Sequence, residues 1–156
     1  MNKKEQKIIF LDIDWVLNKY SIKDINEDFN VENVRNLSIL IKQTWALIVI
    51  TSDWKYDMIN LIEKWPIILP MYIDSTRKSQ IDWYWFKDID KINLEKIREL
   101  EIKEWIDYYE KHNNYKIKYI VIDDMPLEID NFIKTNPYKW LTIEQTRKAI
   151  ELLNKQ

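Results

Sequence analysis

Residues 7–18 read KIIFLDIDWVLN. The run from Lys7 to Leu11 is apolar without alternation, which suits a strand buried on both faces, as in a parallel sheet flanked by helices. It stops abruptly at Asp12 and Asp14. In open parallel sheets the carboxyl ends of strands face the ligand crevice, so two acidic residues at that point predict a strand that opens onto a site.

The same grammar recurs along the chain. Val31, Val34, Leu37 and Ile41 stand at helical spacing and predict a helix over about 31–43. ALIVI at 46–50 predicts a second buried strand, bounded by Thr51, Ser52 and Asp53, after which Met58, Ile59, Leu61 and Ile62 resume a helical stripe. IILPMYI at 67–73 reads as a third strand, with Pro70 placing it at an edge or a bulge. Residues 74–93 have no clear period and read as a loop or small insertion carrying Trp83, Trp85 and Phe86. From Leu94 to about His112, the positions Ile102, Trp105, Ile106 and Tyr109 mark an amphipathic helix. KIKYIVI at 116–122 is a β-branched strand running into Asp123 and Asp124, a short strand is expected at 132–134, and Thr142 with Gln145 forms a capping box for a last helix. Strands alternating with helices, each strand ending in polar residues, predict an α/β open parallel sheet with helices on both faces. One domain is expected over residues 1–156.

Composition narrows the chemistry. With 24 basic and 26 acidic residues the net charge is −2, so bulk electrostatics points neither to nucleic acid nor to a membrane surface. The chain has no Cys, which excludes disulfides, thiolate metal sites and cysteine nucleophiles. Asp12 and Asp14 interrupt the first apolar run too early for a signal peptide, and no other run reaches membrane-spanning length, so a cytoplasmic protein with no membrane partner is expected. His112 stands among Lys111, Asn113 and Asn114 and reads as solvated, as do the scattered lysines.

Three strand ends therefore deliver Asp12 with Asp14, Thr51 with Ser52, and Asp123 with Asp124. Alone, an Asp-x-Asp pair is more often a turn or a helix cap. Two further polar strand ends in order favour a site, and four carboxylates converging there would repel one another unless a hard cation sits among them. Mg²⁺ with oxygen ligands is the natural choice.

These blocks resemble a known superfamily. IIFLDIDWVLN (8–18), LIVITS (47–52) and YIVIDD (119–124) resemble the first, second and fourth motifs of the haloacid dehalogenase (HAD) phosphohydrolases, in the same order and at similar spacing. More narrowly, TWALIVITSDW (44–54), RELEIKEWI (98–106) and YKWLT (138–142) resemble the HAD domain of Swiss army knife RNA-repair proteins. The resemblance implies that Asp12 is a nucleophile forming an aspartyl phosphate and that Asp14 is the acid and base. It also implies that Mg²⁺ is held by Asp12, the backbone carbonyl of Asp14 and Asp123 or Asp124. Thr51, with Ser52 as second choice, would hydrogen-bond a phosphoryl oxygen. The superfamily's third motif is a lysine; here Arg98 takes that role, with Lys96, Lys103 and Lys78 as alternatives. Trp54 and Trp105 match tryptophan positions of the subfamily and read as core, whereas Trp83 and Trp85 read as packing of the insertion, with base stacking the rarer use of such residues.

The expected function is a phosphomonoesterase with little or no cap, since residues 74–93 are too few for a large lid. An uncovered site suits a bulky phosphorylated substrate, and the subfamily resemblance implies a nucleic-acid 3′-phosphate end. A small-molecule nucleotidase and a catalytically silent phosphate- or partner-binding module are the rival readings.

One oddity cuts across all of this. The chain contains no Gly and eight Trp, and its wealth of Ile, Lys and Asn reads as A/T-rich coding. Trp15, Trp45 and Trp140 occupy turn-like places where the resembled families carry Gly, and Trp65 before Pro66 belongs with them. A backbone with positive φ is expected at these turns, and tryptophan codons that are really UGA read as glycine would account for it.

Overall fold

The computed structural model describes residues 3–18, 30–52, 55, 71–76 and 93–155. In chain order it contains β1 (Lys4–Leu11), α1 (Val31–Thr44), β2 (Leu47–Ile50), β3 (Tyr72–Ser75), α2 (Leu94–Asn113), β4 (Tyr115–Asp123), β5 (Phe132–Lys134) and α3 (Ile143–Lys155). The stripe at 58–62, residues 67–70, most of the insertion, and Asp53, Trp54, Trp65, Lys78, Trp83 and Trp85 lie outside the described residues.

The strands form one five-stranded sheet in the order β3-β2-β1-β4-β5, and every pairing is parallel. Because β1 lies in the middle with β2 and β4 on either side, the chain turns from building one half to building the other beside β1. That reversal opens the crevice where open α/β sheets bind ligands.

Alternate residues of the central strands feed two cores. Ile9, Leu11, Ile48, Ile50, Ile120 and Ile122 pack with Leu37 and Leu40 of α1 and Ala149 and Leu153 of α3. Ile8, Phe10, Val49 and Val121 face the other way, onto Ile102 and Trp105 of α2. Each fully buried aliphatic side chain contributes about 1.5–3 kcal/mol, so this double-faced burial supplies the main driving force. Trp105 is well placed in it: its indole stacks on Tyr109 at 4.7 Å, meets Phe10 edge-on at 5.4 Å, and donates from Nε1 to Asp74 Oδ2 at 2.9 Å.

The helices start and stop for local reasons. Asn30 caps α1 by accepting from Glu32 N and Asn33 N, and Asn93 caps α2 by accepting from Lys96 N. The capping box of α3 is reciprocal, Gln145 Oε1 accepting from Thr142 N at 2.8 Å and Thr142 Oγ1 from Gln145 N at 3.3 Å.

Two expectations are corrected. Val31 is 81% exposed and takes no part in the buried face of α1, which instead carries Asn33, Asn36, Leu37, Leu40 and Thr44. Of the strand expected at 67–73, residues 67–70 lie outside the described residues; the strand described is Tyr72–Ser75, which runs on into Asp74 and Ser75, read as loop from the sequence, and stands at the edge of the described sheet.

The turns hold the least ordinary backbone. Among the described residues five have positive φ: Asn114, Asn131, Trp15 (58°), Trp45 (55°) and Trp140 (48°). Asparagine tolerates this region; tryptophan pays for its Cβ there.

Candidate active site

Register assembles the site. Leu11 pairs with Ile50 on one side and with Ile122 on the other, so the next residues, Asp12, Thr51 and Asp123, stand in one row. The ladder continues through that row, with Asp12 N donating to Ile122 O at 3.0 Å and Thr51 N to Leu11 O at 3.0 Å. Thr76 follows β3 in the same way, Thr76 N donating to Ile50 O at 2.9 Å. Asp12, Thr51, Thr76 and Asp123 thus form a buried polar row directly after the buried aliphatic side chains of Leu11, Ile50 and Ile122.

The carboxylates of Asp12, Asp123 and Asp124 offer oxygens within 4.8 Å of one another. The convergence is of three carboxylates rather than the expected four, because the side chain of Asp14 is not among them. Asp14 sits one turn on, bridged to Asn18; with the Asn18 amide oriented so that its nitrogen faces inward, Nδ2 donates to Asp14 Oδ1 at 3.2 Å and to Ile13 O at 3.0 Å.

Arg98, on the sheet-facing side of α2, reaches into the cluster. Its Nη1 lies 2.8 Å from Asp123 Oδ2 and 3.2 Å from Asp12 Oδ1. Of the alternatives for the basic role, Lys96 is turned away to Glu99 and Glu128, and Lys103 is exposed. Burial pushes the Asp12 carboxyl from its ordinary 3.8 up to about 7; Arg98 opposes this, Asp123 adds to it, and hydrogen bonds from the Ser52 side chain and the Ile13 backbone also hold it down. Asp124 is raised too, by burial and then by the charge of Asp123.

Thr51 and Ser52 are both buried but differ in what they touch. Ser52 hydrogen-bonds Asp12, whereas Thr51 Oγ1 has no hydrogen-bond partner among the described residues. A buried hydroxyl without a partner is costly and is commonly satisfied by a ligand or water.

Two features escaped the sequence reading. Lys55 follows Ser52 by one short turn, its N–H donating to Ser52 O, and its buried ammonium lies 2.7 Å from Glu101 Oε2, which also accepts from Thr76 Oγ1 at 3.3 Å. This cluster ties the loop after β2 to α2, and its only sequence signal was Glu101 one turn beyond Arg98. Asn33 and Asn36 are buried on α1, where their amides donate to Leu17 O at 3.4 Å and Leu141 O at 2.9 Å and so brace the turn that carries Asp14. Polar residues standing where the helical stripe should be apolar were the signal.

Among the described residues, three clustered carboxylates against one guanidinium leave a net negative, oxygen-only donor set. A hard divalent cation fits it. No helix among the described residues is long and apolar enough to cross a membrane.

An all-parallel sheet that gathers aspartates at the ends of β1 and β4, beside the point where its strand order reverses, fits the haloacid dehalogenase class, a superfamily of phosphohydrolases. Within it, the model of the HAD domain in Swiss Army Knife RNA repair proteins matches residues 8–146, and the chain belongs to that family. No curated protein matches it.

Proposed function

We propose that this chain is a Mg²⁺-dependent phosphomonoesterase working through an aspartyl phosphate on Asp12. The observation that carries the reading is the meeting of Asp12, Asp123 and Asp124 with Arg98 at the buried end of β1 and β4. Asp12, Asp123 or Asp124, and the backbone carbonyl of Asp14 would hold the ion. When bound it would neutralise charge on the phosphoryl oxygens and keep Asp12 ionised.

The chain's own groups do the rest. An oxygen of Asp12 attacks phosphorus, the P–O bond to the ester oxygen breaks, and Asp14 gives its proton to that leaving oxygen. Water then attacks the phosphorus of the aspartyl phosphate and passes its proton to Asp14, and the bond to Asp12 breaks to release phosphate. Arg98 holds the two carboxylates and supplies positive charge to the transferring group, while the Thr51 hydroxyl is free to donate to a phosphoryl oxygen and Ser52 orients Asp12.

For substrate we propose a nucleic-acid 3′-phosphate end. Support comes from the family match and from the short stretch between Thr76 and Asn93, too small for a large lid. An uncovered site gains orientation from contacts remote from the phosphate. The test is a substrate panel with Mg²⁺. Hydrolysis of an aryl phosphate is expected, lost in excess chelator and in Asp12→Asn, with higher kcat/KM for 3′-phosphorylated oligonucleotides than for mononucleotides. Faster mononucleotide turnover would identify a nucleotidase instead, and phosphate binding without turnover a silent module.

A further inference from the structure

We infer that the chain, as made in its own cell, carries glycine at positions 15, 45 and 140, each encoded by UGA. Four tryptophans fall among the described residues and they are of two kinds. Trp105 has ordinary helical backbone, is 5% exposed, stacks on Tyr109 and satisfies its indole N–H on Asp74. The other three all stand in left-handed backbone, with φ of 58°, 55° and 48°.

No side chain with a Cβ enters that region without cost, and a bulky aromatic is among the least suited to it. The two other described residues with positive φ, Asn114 and Asn131, are of the type that tolerates it. A chain of this length ordinarily holds roughly eleven glycines, and this one holds none. The places that most need glycine and the missing glycines thus coincide with surplus tryptophan.

Each site adds its own observation. Trp45 is the left-handed cap of α1, its N–H donating to Ile41 O at 2.8 Å, the position where helices most often use glycine. Its side chain is 78% exposed, so little burial offsets the backbone. Trp140 has a buried Nε1 with no hydrogen-bond partner among the described residues, unlike most buried indoles. Trp15 opens the turn directly after Asp14, its N–H donating to Asn18 O at 2.9 Å. That turn and the loop of Trp140 are joined, since Leu141 N donates to Val16 O at 2.9 Å. Glycine at both would relax the backbone that carries Asp14.

One codon reconciles these facts. UGA differs by a single base from the tryptophan codon UGG and from the glycine codon GGA, so one reassignment exchanges every affected residue at once. It leaves untouched a tryptophan encoded by UGG, as Trp105 must be.

The experiment has two parts, neither of which depends on phosphatase activity. The gene is expected to read UGA at 15, 45 and 140 and UGG at 105; UGG at any of the first three overturns the inference. Trp15→Gly, Trp45→Gly and Trp140→Gly are then made singly and together, beside the alanine variants and Trp105→Gly. Each glycine should raise the melting temperature by about 2–4 °C, since a left-handed residue with a Cβ costs on the order of 1 kcal/mol. Alanine, which keeps its Cβ, should gain less, and Trp105→Gly should melt well below the parent. A triple glycine variant that melts no higher than the triple alanine variant, or below the parent, overturns the inference.

Discussion

The middle of the sheet and its carboxyl end are built from the same strands, one residue apart, and are physically opposite. At Leu11, Ile50 and Ile122 neighbouring strands present aliphatic side chains that are fully buried and pack on α1 and α3. One step on, at Asp12, Thr51 and Asp123, the same register presents a carboxylate, a hydroxyl with no partner among the described residues and a second carboxylate, all buried. The first layer stabilises the protein. The second costs stability, because charges removed from water are recovered only in part by Arg98. That difference marks the carboxyl end as the place where the fold is spent on chemistry, and it can be attacked from either side.

The largest expected effect separates activity from stability. Asp12→Asn should lower phosphatase kcat by on the order of 10³-fold or more while the metal-free protein becomes more stable; steady-state rates and thermal melts on one preparation check both, and a less stable variant would break the comparison. In the apolar layer the sign reverses. Ile120→Ala should destabilise by about 2–5 kcal/mol, read by urea unfolding, in chelator and in Mg²⁺ alike.

A pH series sharpens the cause. The fold holds Asp12 at about 7 against an ordinary 3.8, so the native state keeps a proton that the unfolded chain has lost. The stability tied to the neutral form is fully present below about pH 4 and is lost as pH rises through about 7. In metal-free buffer the advantage of Asp12→Asn over the parent should therefore grow across that window, to on the order of 4 kcal/mol at most. A constant gap would show that burial of this carboxylate is not the cost. Mg²⁺ should shrink the gap.

Arg98→Gln should give a smaller loss, about 2 kcal/mol in chelator, since it leaves Asp12 and Asp123 facing each other without their shared cation; added Mg²⁺ should narrow the deficit. The smallest effect is expected at Trp105→Phe, which keeps the packing on Phe10 and Tyr109 but removes the hydrogen bond to Asp74, at a cost of about 1 kcal/mol by the same unfolding measurement.

Much of this was legible in the amino-acid order because local patterns carried it. Unbroken aliphatic runs announced strands buried on both faces, polar residues at their ends announced where the site would open, and Asp12, Thr51 and Asp123 could be set on one edge before any coordinates. The reciprocal cap of Thr142 and Gln145, the short strand at 132–134 and the left-handed turns at Trp15, Trp45 and Trp140 belong to the same class, for each depends on a few adjacent residues. Only the tertiary structure decided which oxygens meet. It brought Arg98 between Asp12 and Asp123, left the Asp14 side chain outside the cluster, joined Lys55 to Glu101, and turned Val31 out in favour of Asn33 and Asn36. The physical reason is that period and composition specify which face of an element is apolar. Which side chains from α1, α2 and the loop after β2 then reach one point depends on how those elements pack on the sheet, and packing is a property of the whole chain.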